Sequence, residues 1–252
     1  MNPPNYRFPT EKEIKNLSRF VLRKKDKDLR GLKKIAEKWI TAAWTNKLDY
    51  EINWFGIPII QNPYDMVRMQ ELIFRVKPDV VIETGIAHGG SLIYYASLLE
   101  LLGRGKVIGI DNDIRAHNRA LLVKHPLYKR IRLIEGSSID EKIAHRVKSQ
   151  IKKGDKVLVI LDSNHTHDHV AAELRLYAPL LSRGSYMVVF DTLIENLPRH
   201  YFKDRPWGRG NNPHTAVTAF LQTNKNFVVD PDIENKLIVT TAPGGYLKRI
   251  DD

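Results

Sequence analysis

Polar side chains that can bind a ligand or move a proton follow five successive apolar runs of this sequence. Each run is short and rich in Val, Ile and Leu, and stretches of helical periodicity separate the runs. Such alternation predicts buried parallel strands covered by helices, with the carboxyl ends of the strands at one edge of the sheet. Ligands of open α/β sheets bind at that edge. The residues expected there are Glu83, Asp111, Ser137 with Ser138, Asp162 and Asp191.

The first of these positions begins the glycine-rich segment Glu-Thr-Gly-Ile-Ala-His-Gly-Gly-Ser at residues 83–91. Glycines let the backbone approach a ligand, and the helix that follows offers unpaired N–H groups. The segment matches neither the dinucleotide-binding nor the phosphate-binding glycine motif. A carboxylate at Glu83 disfavours a pyrophosphate and favours a cationic amino-acid ligand; the alternative is a tight turn that binds nothing. The other candidate contacts are Gly85, His88, Gly89 and Ser91.

Asp111 ends the second predicted strand, where a carboxylate can accept hydrogen bonds from both hydroxyls of an adenosine ribose. An aspartate in that place can equally cap the next helix. The serine pair Ser137 and Ser138 follows the third predicted strand, and Glu83 precedes the glycine turn. Together these positions favour an adenosine joined to an amino acid. We therefore predict S-adenosyl-L-methionine (SAM) as the cofactor.

Residues 161–169 read Leu-Asp-Ser-Asn-His-Thr-His-Asp-His and contain three of the nine histidines. Asp162 and Asp191 can hold a hard cation through oxygen ligands. We interpret His165 as functional and expect His167 and His169 mostly at the surface, because alternating positions of a helix cannot all face one site. The alternative is that these residues cap a helix. A non-haem iron oxygenase is the weaker interpretation, because the spacing of two histidines and a carboxylate that it needs does not occur here.

Four segments in order make the sequence resemble the cephalosporin hydroxylase family: residues 83–91, 109–111, 134–138 and 161–165. Despite its name, that family has the class I SAM-dependent methyltransferase fold and includes rhamnosyl O-methyltransferases. The resemblance runs from about residue 55 to residues 244–247, and residues 204–208 and 211–213 resemble its sugar-methylating branch. It implies an α/β fold with a Rossmann-like, doubly wound, mostly parallel sheet.

The resemblance also implies which residues contact the cofactor and a metal. Asp111 would bind the ribose, Ser138 the adenine, and Asp162 a divalent cation such as Mg²⁺ together with an acidic pair that ends a later strand. That pair reads Phe190-Asp191 here, so one carboxylate is missing. Either water and Glu195 complete the metal shell, or metal binding is weak or absent. The residues implied around the methionine part are Glu83, Gly85, Gly89 and Ser91.

The stretch from residue 195 to residue 212 is long for a connection inside a compact domain, which favours a lid that binds the acceptor. Tyr201 and Trp207 can stack on a sugar face, and Arg205 or Arg209 can meet an anionic group; the alternative for the aromatic residues is packing within the loop. We therefore predict O-methylation of a sugar hydroxyl on a glycolipid, surface polysaccharide or glycosylated natural product. His165 or Asp162 would take the hydroxyl proton.

Two other functions compete with sugar methylation. The first is the nominal role of the resembled family, as a partner protein or enzyme in hydroxylation or methoxylation of a small molecule. The second is methylation of nucleic acid, which the net charge of +11 invites. Enzymes that methylate base nitrogens often carry an [DNS]-P-P-[YFW] motif after the fourth strand, where this sequence reads Asp-Ser-Asn-His at residues 162–165. We therefore expect no nucleic-acid partner.

Much of the positive charge lies in the first part of the chain. Residues 1–50 contain 13 Lys and Arg against 6 Asp and Glu, a net charge of +7, and the remaining residues contribute +4. We predict a basic helical arm over residues 1–52 and a methyltransferase domain over residues 53–252. The arm's apolar positions include Leu17, Phe20, Val21 and Ile35, and Gly31 with the charged residues 24–28 can separate two helices. We interpret the arm as a charged, solvated helix face, with a subunit contact or contact with an anionic surface as the alternatives, and we expect the protein to form a homo-oligomer.

Composition excludes several other classes of protein. The chain of 252 residues has no cysteine, which excludes a disulfide framework, a zinc ribbon and a thiol nucleophile. It has no apolar run of the roughly 18 residues that a membrane span needs. Its N-terminus lacks the apolar stretch of a signal peptide, so we expect a cytoplasmic protein. Towards the C-terminus the pattern predicts a helix over 214–222 and strands near 226–229 and 236–241.

Overall fold

The structure is a computed structural model that describes residues 7–10, 12–14, 16 and 29–251. Its described α-helices and strands alternate through most of the chain. The helices are α1 (Leu29–Thr45), α2 (Pro63–Val76), α3 (Gly90–Leu101), α4 (Ala116–Lys124), α5 (Glu141–Lys148), α6 (His167–Tyr177), α7 (Pro213–Thr223) and α8 (Pro231–Leu237). The strands are β1 (Asn53–Trp54), β2 (Ile57–Pro58), β3 (Val80–Thr84), β4 (Lys106–Asp111), β5 (Ile131–Glu135), β6 (Val157–Leu161), β7 (Tyr186–Val189), β8 (Phe227–Val229) and β9 (Tyr246–Arg249).

Seven strands form one sheet in the order β5-β4-β3-β6-β7-β9-β8. The first five are parallel, and β9 runs antiparallel to both β7 and β8. The chain winds outwards from β3 to β5 and then returns to place β6 on the other side of β3. This order confirms the predicted doubly wound, mostly parallel α/β fold. It also creates a crevice between the carboxyl ends of β3 and β6, where such folds bind ligands.

Two hydrophobic clusters cover the two faces of the sheet, because neighbouring residues of a strand point to opposite sides. Val81 packs on one face among residues of α2 and α3. Val80 and Ile82 pack on the other face among residues of α5, α6 and α7. All three side chains are fully buried. Burial of β3 on both faces holds its carboxyl end rigidly in the crevice.

Asparagine and aspartate caps followed by proline start several of the helices that frame the crevice. The Asn62 side chain accepts a hydrogen bond at the start of α2, and Asn212 forms a capping box at the start of α7. Asp230 caps α8 in the same way. The strand predicted near 236–241 is therefore wrong. Its first residues end α8, and Thr240 and Thr241 instead donate hydrogen bonds to the buried Asp65 carboxylate.

Helix α1 packs on the same side of the molecule as the crevice. Its buried Ile40 lies in a cluster with Leu193, Ile194 and Phe202, and Thr45 Oγ1 donates a hydrogen bond to Tyr201 Oη over 3.1 Å. Gly31 lies inside α1, so it does not separate two helices as predicted. The predicted apolar positions Leu17, Phe20 and Val21 and the charged residues 24–28 lie outside the described residues. Within the described ranges, the helices lack the combination of length and apolar character that crossing a bilayer requires.

Candidate active site at the carboxyl ends of the central strands

The glycine turn after β3 is held against the end of β6. Gly85 has φ +79°, and a Cβ on it would lie 2.2 Å from the backbone oxygen of Asp162. Gly90, the first residue of α3, approaches Pro58 as closely, since a Cβ there would lie 2.2 Å from the proline oxygen. Only glycine fits at these two contacts. They fix the floor of the crevice and the position of the α3 N-terminus beside it.

Glu83 is buried beneath this turn. Its exposed fraction is 1%, and its Oε2 accepts a hydrogen bond of 2.6 Å from Ser91 Oγ at the start of α3. Burial raises the pKa of Glu83 to about 8; the Ser91 hydroxyl opposes this shift and the Asp111 charge adds to it. A buried carboxyl that holds its proton at neutral pH is suited to ionise when a cationic ligand arrives.

Asp111 ends β4, and its carboxylate organises the glycine turn. Oδ2 accepts hydrogen bonds from the amides of Ile86 and Ala87, at 2.9 Å and 3.3 Å. Oδ1 accepts one from the Asp113 amide at 3.1 Å. This aspartate therefore positions the turn in addition to its predicted role as a ribose ligand, and it is not a helix cap, because α4 begins at Ala116.

Asp162, His165 and Asp191 meet at the ends of β6 and β7. One possible ligand atom from each lies within 4.8 Å of the others, and His165 Nε2 is 3.4 Å from Asp191 Oδ2. Burial raises the pKa of Asp162 well above its ordinary range, and the charges of Asp191 and Glu83 raise it further. Burial also raises the pKa of Asp191, while His165 lowers it. Crowded carboxyl groups of this kind favour a bound cation or a shared proton.

The backbone of Asp191 is in the left-handed region, with φ 58° and ψ 19°. Aspartate is one of the few residues with a side chain that tolerate this conformation. The left-handed residue follows the end of β7 at Val189 and directly precedes a 3-10 helix that begins at Thr192. Its short side chain then faces His165 across the crevice.

Glu195 does not join this group among the described residues, contrary to its predicted place in the metal shell. Its Oε2 accepts hydrogen bonds from the Gly210 amide and the Asn212 side chain, and its Oε1 lies 3.8 Å from Arg209 Nε. Burial favours a raised pKa for Glu195, but these hydrogen bonds outweigh it and lower the pKa. Glu195 therefore ties the predicted lid to the start of α7.

A cavity of about 460 Å³ opens above the crevice. Gly85, His88 and Ser91 form one part of its wall, and Asp162, His165 and Asp191 form another. The predicted acceptor residues complete it: Tyr201, Arg205 and Trp207. Asp111 and Ser138 are not part of this wall.

Trp207 and His165 lie in direct contact within the cavity. Their rings meet edge to face, with centroids 5.0 Å apart, and the Arg205 guanidinium lies 5.3 Å from the Trp207 ring centroid. The tryptophan is therefore fixed over the candidate base, and a flat face of an acceptor can stack beside it. The hydroxyl of Tyr201 is held by the hydrogen bond that it accepts from Thr45.

Ser138 belongs to a partly buried polar network that reaches the cavity wall at Ser163. Its Oγ lies 3.1 Å from His169 Nε2, which also lies 3.1 Å from Ser163 Oγ, and Ser163 donates to Glu173 at 2.7 Å. His169 is therefore not a surface residue as predicted. His167 is also half-buried, with Nδ1 2.9 Å from Thr215 Oγ1. Ser137 is half-buried beside Ser138 and caps the following turn through its backbone oxygen.

Sequence reasoning missed the cavity residues that precede β3. Ala43, Trp44, Lys47, Asp49 and Tyr50 line the cavity from the end of α1 onwards. Gln61 also lines it; the side chain is 6% exposed, and its Oε1 has no hydrogen-bond partner within the part of the chain that the structure describes. An orphaned buried amide oxygen in a cavity wall is a candidate ligand contact.

A protein-family match covers most of the chain. The sequence model described as Rhamnosyl O-methyltransferase/CmcI matches residues 46–250. The chain belongs to this family. The match includes the missed residues Lys47, Asp49, Tyr50 and Gln61, so the family's shared region begins before the predicted domain boundary at residue 52.

Curated relatives of the rhamnosyl O-methyltransferase/CmcI family include rhamnosyl O-methyltransferases of mycobacteria. The protein of Mycobacterium tuberculosis is 33% identical over 218 residues, which cover 85% of each chain. The protein of Mycobacterium leprae is 30% identical over 218 residues, which cover 85% of this chain and 90% of that relative.

Several solved structures share this fold. The apo structure of CmcI superposes with a TM-score of 0.57 at 18% identity, covering 81% of this chain and 78% of CmcI. CmcI with Mg and SAM gives a TM-score of 0.56 at 19% identity, covering 80% and 78%. A crystal structure described as a caffeoyl-CoA O-methyltransferase from Staphylococcus aureus gives 0.52 at 14% identity, covering 86% and 90%. These likenesses establish a class I methyltransferase fold.

Proposed function

We propose that this protein transfers the methyl group of SAM to a hydroxyl of a sugar, with rhamnosides as the first acceptors to test. The observation that carries the proposal is the contact of His165 with both Asp191 and Trp207 in one cavity. It places a proton acceptor beside a sugar-stacking surface. Rhamnosyl O-methyltransferases that cover 85% of this chain support the acceptor class.

The residues around the glycine turn are suited to the amino-acid part of SAM. The buried Glu83 carboxyl has Ser91 as its single hydrogen-bond partner among the described residues, so it can ionise against an ammonium group. Gln61 donates a hydrogen bond to Tyr95 through Nε2, and its amide oxygen, which has no partner among the described residues, is available to the ligand. As at any helix N-terminus, the first amides of α3, beginning at Gly90, lack partners within the helix and suit a carboxylate. We assign Asp111 to the ribose and Ser138 to the adenine, with Gly85, His88 and Gly89 shaping the turn.

Asp162, His165 and Asp191 fit a divalent cation, because two carboxylates and one imidazole are ordinary donors for such ions. A bound cation would supply Lewis acidity that lowers the pKa of an acceptor hydroxyl. Burial raises the pKa values of Asp162 and Asp191, so a bound cation would stabilise their ionised forms. We assign Asp162 and Asp191 to the ion.

In the transfer, the acceptor oxygen forms a bond to the methyl carbon as the bond from that carbon to sulfur breaks. The hydroxyl proton must leave the oxygen, and we assign it to His165, with Asp162 as the alternative acceptor. Asp191 Oδ2 faces the His165 ring and stabilises the imidazolium that results. Alignment of the reacting groups contributes about 7–11 kcal/mol to such reactions. Tyr201, Arg205 and Trp207 would provide that alignment by holding the sugar.

The proposal is tested by incubating the purified protein with SAM and a panel of rhamnosides, other glycosides and nucleotide sugars. S-adenosylhomocysteine and methylated sugar should form in equal amounts with at least one member of the panel, and neither should form without an acceptor. A small-molecule phenol panel serves as the comparison. Turnover with phenols alone would contradict the sugar assignment. Cofactor binding without turnover on any acceptor would favour the partner-protein role.

A further inference from the structure

Helix α1 presents large apolar side chains to solvent next to the face that it buries. Ala36, Ile40 and Ala43 are buried. Leu32, Ile35 and Trp39 are exposed by 43%, 65% and 51%. At about 100° per residue these three lie within a narrow stripe along one side of the helix. We call Leu32, Ile35 and Trp39 the exposed stripe.

Basic residues border the exposed stripe. With a rotation of about 100° per residue, Lys34 and Lys38 lie beside the stripe on the side away from the buried face. Arg30 and Lys33 lie further around the helix in the same direction. The only acidic residue of α1 is Glu37. Within the described residues, no ion pair neutralises these four cations.

We propose that α1 docks this protein in the plane of an anionic lipid surface, with the exposed stripe inserted among the acyl chains and the lysines at the headgroups. Amphipathic helices with large apolar residues beside lysines bind membranes in this way. A second copy of the chain is a poorer occupant, because pairing two such stripes would bring the like-charged Lys34 and Lys38 borders together. The proposal does not depend on methyl transfer.

Docking through α1 would place the cavity close to the lipid surface. Ala43 and Trp44 belong to the same helix and line the cavity. Ala43 is four residues beyond Trp39, which corresponds to about 6 Å along the helix axis. An acceptor sugar carried on a lipid would therefore meet the cavity without leaving the membrane.

The test uses the full chain with a single introduced cysteine, which the cysteine-free sequence makes specific. Ile35→Cys is labelled with an environment-sensitive dye and mixed with vesicles of phosphatidylcholine containing about a third phosphatidylglycerol. We expect a blue shift and sedimentation with these vesicles, weak binding to pure phosphatidylcholine, and release at high salt. Leu101→Cys is the matched control, because Leu101 is 71% exposed on α3 and outside the stripe.

Two double variants measure how much the lysine charges contribute to vesicle binding, separately from insertion of the apolar stripe. Lys34→Gln with Lys38→Gln should weaken binding to the anionic vesicles by roughly tenfold or more, given the usual contribution of each basic residue at such surfaces. Lys142→Gln with Lys148→Gln on α5 should leave it unchanged. A blue shift that appears without vesicles and grows with protein concentration would identify a second copy as the occupant. Equal binding of both double variants, or no vesicle binding, would also overturn the proposal.

Discussion

His165 Nε2 lies 3.4 Å from Asp191 Oδ2, so the candidate base and a candidate metal ligand are electrostatic partners. This contact couples two functions that a sequence pattern treats separately. A proton on His165 stabilises ionised Asp191, and ionised Asp191 in turn stabilises the imidazolium. Variants can test the assignment of the imidazole as a base against a role as a metal ligand.

Replacement of His165 by alanine should lower turnover by about 100- to 10,000-fold, the range expected for loss of a general base. SAM affinity measured by calorimetry should change little, because His165 lies on the acceptor side of the cavity. His145→Ala is the matched control, since His145 is exposed on α5. Turnover that survives in His165→Ala would show that Asp162 or solvent takes the proton.

Replacement of Asp191 by asparagine should abolish tight binding of a divalent cation while keeping the left-handed backbone that asparagine also tolerates. Cation binding can be measured without turnover by titrating the protein with Mn²⁺ and recording the decrease in the electron paramagnetic resonance signal of free Mn²⁺. If His165 is a ligand, His165→Ala should weaken Mn²⁺ binding as well. If it is only the base, that variant should bind Mn²⁺ like the parent. Equal Mn²⁺ binding by Asp191→Asn would remove Asp191 from the metal site.

Glu83 should make both stability and cofactor binding depend on pH. Burial raises its pKa to about 8 from an ordinary 4.5, so between these values the folded chain keeps a proton that the unfolded chain releases. This residue's contribution to folding therefore falls as pH rises from 4.5 to about 8 and is constant above that. Glu83→Gln should remove this pH dependence and raise the melting temperature at pH 8, as thermal scans across this range can measure.

The same variant, Glu83→Gln, should weaken SAM binding by about 10- to 100-fold, because a hydrogen bond to a charged group contributes about 1.5–3 kcal/mol. Binding of SAM to the parent at pH 7 should release a proton, which calorimetry in buffers of different ionisation enthalpy detects. Unchanged affinity together with no proton release would place the ammonium group elsewhere.

Replacement of Gly85 by alanine tests the close contact between the glycine turn and β6. The new Cβ would lie 2.2 Å from the Asp162 oxygen, so the turn must move. Gly154→Ala is the control, because Gly154 has a similar φ of +91° but open space around it. The control should cost about 1–2 kcal/mol of unfolding free energy, whereas Gly85→Ala should cost more and also lose SAM binding. Equal urea-unfolding midpoints for the two variants would show that the contact is unimportant.

The strand ends were predictable from sequence because buried β-branched runs identify parallel strands and the polar residue after each run must lie at the same edge. That reasoning placed Glu83, Asp111 and Asp162 near one crevice. It wrongly predicted a strand over 236–241, because the Asp230 cap and Pro231 start a helix whose last residues overlap the beginning of this run. Local chemistry at a helix start thus outweighed the pattern.

Contacts made across the fold could not be predicted in this way. His169 reaches Ser138 and Ser163 only because β5 and β6 are brought to the same edge, and Gln61 enters the cavity only because α2 packs beside α3. The predicted arm also contacts the predicted acceptor loop, since Thr45 donates a hydrogen bond to Tyr201. Contacts between residues so far apart in the sequence leave no periodic pattern from which they could be predicted. The domain boundary at residue 52 remains a prediction.

The left-handed backbone at Asp191 restricts which side chains this position accepts. Glutamate would suffer a steric penalty of about 1–2 kcal/mol there, whereas glycine and asparagine fit but carry no charge. Aspartate is thus the one acidic residue that the local torsion angles accommodate easily. The main-chain conformation therefore limits how far a carboxylate at this position can extend towards His165. Substitutions tolerated during evolution should more often replace Asp191 by an uncharged residue than by the longer glutamate.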